Sequence, residues 1–313
     1  MRIAGTSFTD SMVSQLNLLS AQQYQLQNQA STGQAISAPS DDPGGMALAL
    51  VLQADNSAVT QYAQNITTLQ NRATISGNAL MSLKTISDRA GEIATAADGA
   101  ATPAQLQAYA SEVTQLIQQA AQIMNAKDGS QYVFGGTASG SAPFAVSTDA
   151  GGNVTAVTYS GNSSVAQSEI SQNVTMTVDA PGENTSGTGP RGVISDSRYG
   201  ADFFNHLISL QNNLLSGNTN AISATDAPNL SKDEANIIYQ VASNGATQTR
   251  LTAAASFASS QQSGLQQNLT SVAGADLAQT LTQLSQANNA YQIALQTSSQ
   301  MLQLQQSVLN SLP

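Results

Sequence analysis

From Leu48 onward, one phase of the chain steps by alternating fours and threes through Leu48, Leu52, Asp55, Val59, Tyr62, Ile66, Leu69, Ala73, Ser76, Leu80 and Leu83. Most of these residues are apolar, and the phase never slips, so the pattern reads as a heptad seam about five repeats long. At 1.5 Å per residue the helix carrying it spans about 54 Å, longer than a globular helix needs. The seam predicts a rod that continues to about Ala101. Thr102, Pro103 and Gln105 then supply an N-cap, a first-turn proline and a capping-box partner for a second helix. That helix carries Leu106, Tyr109, Val113, Leu116, Ile117, Ala120 and Ile123 on one face and is expected to fold back antiparallel on the first.

After Lys127, Asp128 and Gly129 the texture changes. Short alternating runs, Val154 to Tyr159 and Val174 to Val178, are separated by Gly, Asn and Asp turns and predict a small β-rich module over residues 131–190. Its turn-rich composition leads to the expectation that it faces outward and tolerates deletion. Helical signals return with Phe203, Phe204, Leu207, Ile208, Leu210, Leu214 and Leu215, too broad an apolar face for a free surface helix. Ser231 and Glu234 read as a capping box for a further helix, with weak points at Gly264 and Gly274.

Both chain ends carry seams of their own. The C-terminal one runs Leu277, Leu281, Leu284, Asn288, Tyr291, Leu295, Ser298, Leu302, Gln305, Leu309 and Leu312; the N-terminal one is Met12, Leu16, Leu19, Gln23, Leu26 and Ala30. Neither has enough apolar surface to stand alone in water, so the two are expected to pair and to bury what remains against other copies or partners. In that pairing Asn288 would occupy a core position and fix the register. Leu16, Leu19, Leu26, Leu281, Leu284, Asn288, Tyr291, Leu295, Leu302 and Leu309 are the candidate assembly residues.

Between the N-terminal seam and the rod lies "SAPSDDPGG", Ser37 to Gly45. Pro39 biases Ala38 away from helix, Asp42 suits an N-cap and Pro43 a first turn. Pro39, Ser40, Asp41, Asp42 and Pro43 thus form a candidate domain joint. The fold class is mainly α: a long antiparallel helical rod, with paired terminal coiled-coil helices and a small β-rich insertion. Residues 1–42 with 275–313 form the terminal pair, 43–130 with 191–274 the rod, and 131–190 the module.

Composition narrows the function. Only 9% of the 313 residues are charged and 4% aromatic, which suits long helices packed through small residues and leucine. The net charge of −10, with no cluster of Lys or Arg, disfavours nucleic acid as a partner. The absence of cysteine removes disulfides and thiolate metal sites. The N-terminus lacks the apolar stretch of a cleaved signal peptide, and no window reads as a membrane span.

Candidate chemistry is sparse. His206 is the sole histidine, so sites needing two are excluded, and a structural role is favoured. Asp41 and Asp42 read as caps in preference to cation ligands. Gly135 and Gly136 lack the spacing and lysine of a phosphate loop and read as a turn. Tyr62 and Tyr291 lie on seams, where packing is the expected role. Neither catalytic residues nor a cofactor are expected.

The segment "STGQAISAPSDDPGGMA", the later "YVFGGT" at Tyr132 to Thr137, the opening "MRI" and the closing helix resemble the bacterial flagellin family, most closely its hook-associated members. The likeness covers both ends and the rod; the β-rich module does not contribute. The resemblance implies a structural subunit of the flagellum, exported unfolded through the flagellar type III channel and folded at the growing end. Its paired terminal helices would line an axial tube. Its partners would be other copies in a ring, neighbouring hook-associated protein and flagellin, and the export apparatus with a chaperone, at an extracellular location. A junction between hook and filament is the leading role, and a short flagellin forming the filament itself is the alternative.

Overall fold

The computed structural model describes residues 2–97 and 99–310, with side chains for all of these except 2–9, 305 and 308–310. Helices α1 (Arg2–Thr32), α2 (Pro43–Ala96) and α3 (Pro103–Met124) precede the short strands β1 to β9, which among the described residues all fall between Lys127 and Asp202. Helices α4 (Phe203–Ser216), α5 (Thr219–Ala221), α6 (Ala227–Ala273) and α7 (Leu277–Asn310) follow. The chain divides into two compact units, Met1–Ala58 with Ser260–Pro313, and Val59–Ser259. The Pro39–Pro43 break lies inside the first of these.

In the second unit the predicted seam is buried where expected: Val59, Ile66, Leu69, Ala73, Ser76, Leu80 and Leu83 are all shielded from solvent. Helix α2 ends at Ala96, five residues short of the expected Ala101. The Thr102 hydroxyl accepts from the Gln105 N–H, and the Gln105 carboxamide accepts from the Thr102 N–H, completing the capping box that starts α3. Arg89 of α2 pairs with Glu112 of α3, and Arg72 reaches the Tyr132 carbonyl beyond the end of α3. As α2 descends in number its partners ascend, so the two helices run antiparallel. Helix α6 does the same: Asn244 Nδ2 donates to the Ala73 carbonyl at 3.1 Å, and Glu234 lies near Lys84.

Helix α6 does not begin at the Ser231–Glu234 capping box. Helix α5 passes through a π-helical turn, Ile222–Asp226, directly into α6, so Ser231 and Glu234 sit within a continuous helix. The widened turn aims Asp226 inward, where its carboxylate accepts from Ser209 Oγ and Asn213 Nδ2 of α4, each at 2.7 Å. Pro228 is placed just past this irregular turn, where a missing N–H costs least. Gly264 does not interrupt α6; Gly274 does.

The strands form small sheets. β1 (Lys127–Asp128) pairs with β2 (Gln131–Tyr132), β3 (Phe144–Thr148) with β4 (Val154–Tyr159), and β5 (Ser168–Ser171) with β6 (Val174–Met176), all antiparallel. β7 (Glu183–Asn184), β8 (Ser195–Asp196) and β9 (Ala201–Asp202) make a three-stranded patch. This segment is built into the core of the unit. Val133, Phe134, Phe144 and Val154 join Leu80, Ile93, Ile117, Phe203, Phe204 and Leu207 in one buried cluster. Phe144 stacks 5.0 Å from Tyr159 and 5.4 Å from Phe204. Tyr159 Oη accepts from the Gly182 N–H at 3.2 Å and lies 3.0 Å from the Phe134 carbonyl. Burial pushes its pKa up to about 12, so it remains a donor. The expected tolerance to deletion therefore does not follow: removing residues 131–190 would strip aromatic packing from the helices.

Phe134→Ala is expected to destabilise the protein by about 3–5 kcal/mol, because it empties a fully enclosed position. Met81→Ala, at a largely exposed position on α2, is expected to change stability by less than about 0.5 kcal/mol. Urea unfolding of both variants measures the contrast.

Candidate assembly surface

The break after α1 is a rigid turn. Ala38 accepts from the Asp41 N–H at 2.9 Å, with Pro39 and Ser40 at the two central positions of the turn, where proline presets φ. Asp41 Oδ2 accepts from the Ser37 N–H, the Ala38 N–H and Ser37 Oγ at 2.9–3.1 Å. These donors, led by the Ser37 N–H, hold the Asp41 carboxyl below its ordinary pKa. Asp42 Oδ1 accepts from the Gly44 and Gly45 N–H groups at 3.0 Å and so caps α2, with Pro43 as first helical residue. A Cβ on Gly45 would come within 2.5 Å of the Asp42 carboxylate and the tip of the Ile36 side chain, so this glycine lets both side chains close over the start of α2.

The C-terminal break meets the N-terminal one. Gln34 bridges Gly274, the Ala35 N–H donates to the Ala273 carbonyl at 2.7 Å, and the Ala275 N–H donates to the Gly33 carbonyl at 2.9 Å. Gly33 supplies the left-handed conformation at φ 69°, and a Cβ on Gly274 would meet the Thr270 carbonyl at 2.3 Å. Asp276 Oδ1 then accepts from the Ala278 and Gln279 N–H groups and starts α7.

From this bridge α1 and α7 run side by side and antiparallel. Gln23 Nε2 donates to Asn288 Oδ1 at 2.7 Å, at the positions antiparallel travel requires. Leu16 and Leu19 are half-buried and Leu26 is buried on α1. On α7 the shielded positions are Thr280, Leu284, Ala287, Tyr291, Ala294 and Ser298, again stepping by four and three. This seam shares Leu284, Tyr291 and Ser298 with the leucine row and otherwise lies roughly a quarter turn from it. Thr280 and Ala287 are each 6% exposed, whereas Leu281 is 56%, Leu295 44% and Leu302 54% exposed. Asn288 is also exposed, which corrects the expectation of a core amide: it holds α1 from the rim. The Leu309 side chain lies outside the described residues. A groove of about 350 Å³, lined by Gln23, Tyr24, Gln27, Leu284, Asn288 and Tyr291, opens between the two helices.

The other candidates have structural roles. His206 Nδ1 lies 2.7 Å from Asp233 Oδ2, and Asp233 Oδ1 accepts from the Asp202 N–H, so the pair ties the start of α4 to α6. Gly136 sits at φ 66°, and a Cβ there would come 2.2 Å from the Asn162 carbonyl, which is the requirement of a turn. No group of three or more metal-ligating side chains occurs among the described residues.

Residues 6–138 of the chain match the family model of the bacterial flagellin N-terminal helical region. Its fold is that of solved flagellar hook-associated proteins. A protein from Vibrio parahaemolyticus described as a flagellar hook-associated protein aligns over 75% of this chain and 100% of its own, at 20% identity and a TM-score of 0.63. FlgL from Xanthomonas campestris aligns over 70% of this chain and 99% of its own, at 19% identity and a TM-score of 0.57. FlgL from Bacillus cereus gives the same coverage at 18% identity and a TM-score of 0.55. A comparison with curated proteins found no match.

Glu183, His206 and Asp233, grouped around Asp202, set a pH dependence. Burial, reinforced by the charge of Asp202, pushes Glu183 from its ordinary 4.5 up to about 7. Desolvation raises Asp233; burial opposes the charged form of His206, but the hydrogen bond and charge of Asp233 together with the charge of Asp202 raise it on balance, so this pair too holds its proton more tightly than free groups would. A folded state that binds protons more tightly loses stability as pH rises, here between about pH 4.5 and 7 for Glu183 and through the raised His206 value. The thermal midpoint is expected to fall from pH 5 to pH 8. Glu183→Gln is expected to leave it unchanged near pH 4.5 and to stabilise the protein by about 1–3 kcal/mol at pH 8. Calorimetric scans across that range test this.

Proposed function

We propose that the chain is a structural subunit of the bacterial flagellum, joining hook to filament and polymerising through the uncovered leucine face of α7. The observation that carries the reading is that face: Leu281, Leu295 and Leu302 stand in one exposed row on a helix whose other apolar edge is covered by α1. Burying each leucine contributes about 1.5–3 kcal/mol, and a ring of identical copies offers repeated partners for the row. The flagellin-type N-terminal region and the hook-associated character of proteins with this fold support the same role. Export in an unfolded state through the flagellar apparatus, with a chaperone, and an extracellular location follow from that role. No enzymatic step is required of it.

Leu295→Asp places a lone charge in the row. In the isolated chain this position is 44% exposed, so the monomer's melt is expected to move by less than about 0.5 kcal/mol. In the assembly the same charge would be buried unpaired, at a cost of several kcal/mol per copy. Motility is expected to be lost, with flagellin released into the medium. Ala287→Asp, facing α1, is expected instead to disturb the monomer. Normal filaments from Leu295→Asp would reject the leucine row as the assembly surface. Immunogold label in a narrow band beyond the hook supports the junction role, and label along the filament assigns the chain to the filament itself.

A further inference from the structure

Arg191 is set apart from its neighbours in the second unit. Arg72 pairs with Asp179, Arg89 with Glu112 and Glu92, and Arg198 with Asp196. Arg191 is half-buried and has no carboxylate partner among the described residues. Its guanidinium carbon lies 3.5 Å from the ring centroid of Tyr199 and 4.2 Å from that of Tyr239. Nε donates to Asn236 Oδ1 at 2.5 Å. Asn236 is itself immobilised, because its Nδ2 donates to the Gly192 and Val193 carbonyls at 3.0 and 2.7 Å. Two rings and one buried amide therefore hold the guanidinium flat and fixed, leaving its Nη1–Nη2 edge without an acceptor among the described residues.

That arginine lines a cavity of about 240 Å³ together with Thr177, Asp179, Tyr239, Gln240 and Asn244. The Asp179 charge is met by Arg72, so Arg191 is the uncompensated charge of the lining. We propose that this cavity is a carboxylate-binding site, in which Nη1 and Nη2 of Arg191 grip both oxygens of one carboxyl group. A preorganised planar fork is the arrangement that carboxylates select, and stacking on tyrosine keeps it in place when the site is empty. The volume is below that of ordinary cofactor pockets, about 300–1,000 Å³, so the occupant is one acidic side chain or a small acid. A single cation beside Asp179 suits a monoanionic head better than a phosphate dianion. The carboxyl group has two possible sources, a free small acid or an Asp or Glu side chain of a second copy of this chain. The second source rests on the assembly proposed above, and the first does not.

Titration of the monomer with sodium succinate, at ionic strength matched with sodium chloride, reads the first source. Saturable binding is expected, absent in Arg191→Gln and at least tenfold weaker in Arg191→Lys, which keeps the charge without the fork. Succinate protection of Arg191 from phenylglyoxal, mapped by peptide mass on the unsubstituted protein, gives the same reading without a variant. For the second source, assembled Arg191→Lys protein mixed from isotopically light and heavy copies is treated with a carbodiimide. An amide bond from residue 191 to an acid of the other isotope identifies a neighbouring copy. Succinate binding supports the site even if assembly fails. Absence of both succinate binding and the inter-copy bond overturns it.

Discussion

Two backbone hydrogen bonds, Ala35 to Ala273 and Ala275 to Gly33, determine how the terminal helices meet. They join the break after α1 to the break before α7, so both helices leave from one point and the antiparallel register follows. Thr280, Ala287 and Ala294 are thereby turned toward α1, and Leu281, Leu295 and Leu302 away from it. Gly33 and Gly274 are the residues that permit the bridge, one by its left-handed conformation and one by close backbone approach. A side chain at either position would act on the helix pair through register before it acted on any contact.

Much of the helical skeleton was legible because its signals are local. Thr102 and Gln105 cap α3, Pro43 opens α2, and Val154–Tyr159 is β4, each because a turn or a few residues settle the outcome. What failed was phase and partnership. Leucine spacing marks an apolar side of α7, but the covered seam consists mostly of Thr, Ala and Ser, which carry little signal. Likewise Val133 and Phe134 looked like the entry to a surface module, and only distant pairing with Phe203, Phe204 and Ile117 shows them to be core. The turn at Ile222–Asp226 was hidden because a π-helical turn has no sequence signature comparable with a capping box.

Helix α6 shows a second reason. Its inward stripe runs Leu230, Asp233, Ile237, Gln240, Asn244, Leu251 and Ala258, a heptad-like row in which three of the buried residues are polar. Gln240 Nε2 donates to the Arg191 and Gly192 carbonyls, Asn244 Nδ2 to Ala73, and Asp233 accepts from the Asp202 N–H. Each buried polar group meets a specific backbone atom, so the row stabilises one register and penalises a slip in either direction by leaving that group unpaired. Gly77 allows the close approach, since a Cβ there would meet Asn244 at 2.8 Å. A hydrophobicity reading passes over such a row. In a chain with few aromatic residues, these amides do the specifying that large apolar side chains do elsewhere.

The two units accordingly stand in different energetic positions. The second gathers Leu80, Ile117, Phe134, Phe203 and Leu207 into one buried cluster and pairs the buried Asp233, Gln240 and Asn244 with backbone groups of the same unit. The first buries Leu26, Thr280 and Ala287 between α1 and α7 and half-buries Leu16, Leu19, Leu284 and Tyr291. An alanine or threonine withdrawn from water yields much less than a leucine, at about 25 cal/mol per Å² of apolar surface. The small residues of the seam thus add modestly to the pair's stability, while Leu281, Leu295 and Leu302 remain exposed on the outside of α7. Such a helix pair gains most when a further surface covers the leucine row.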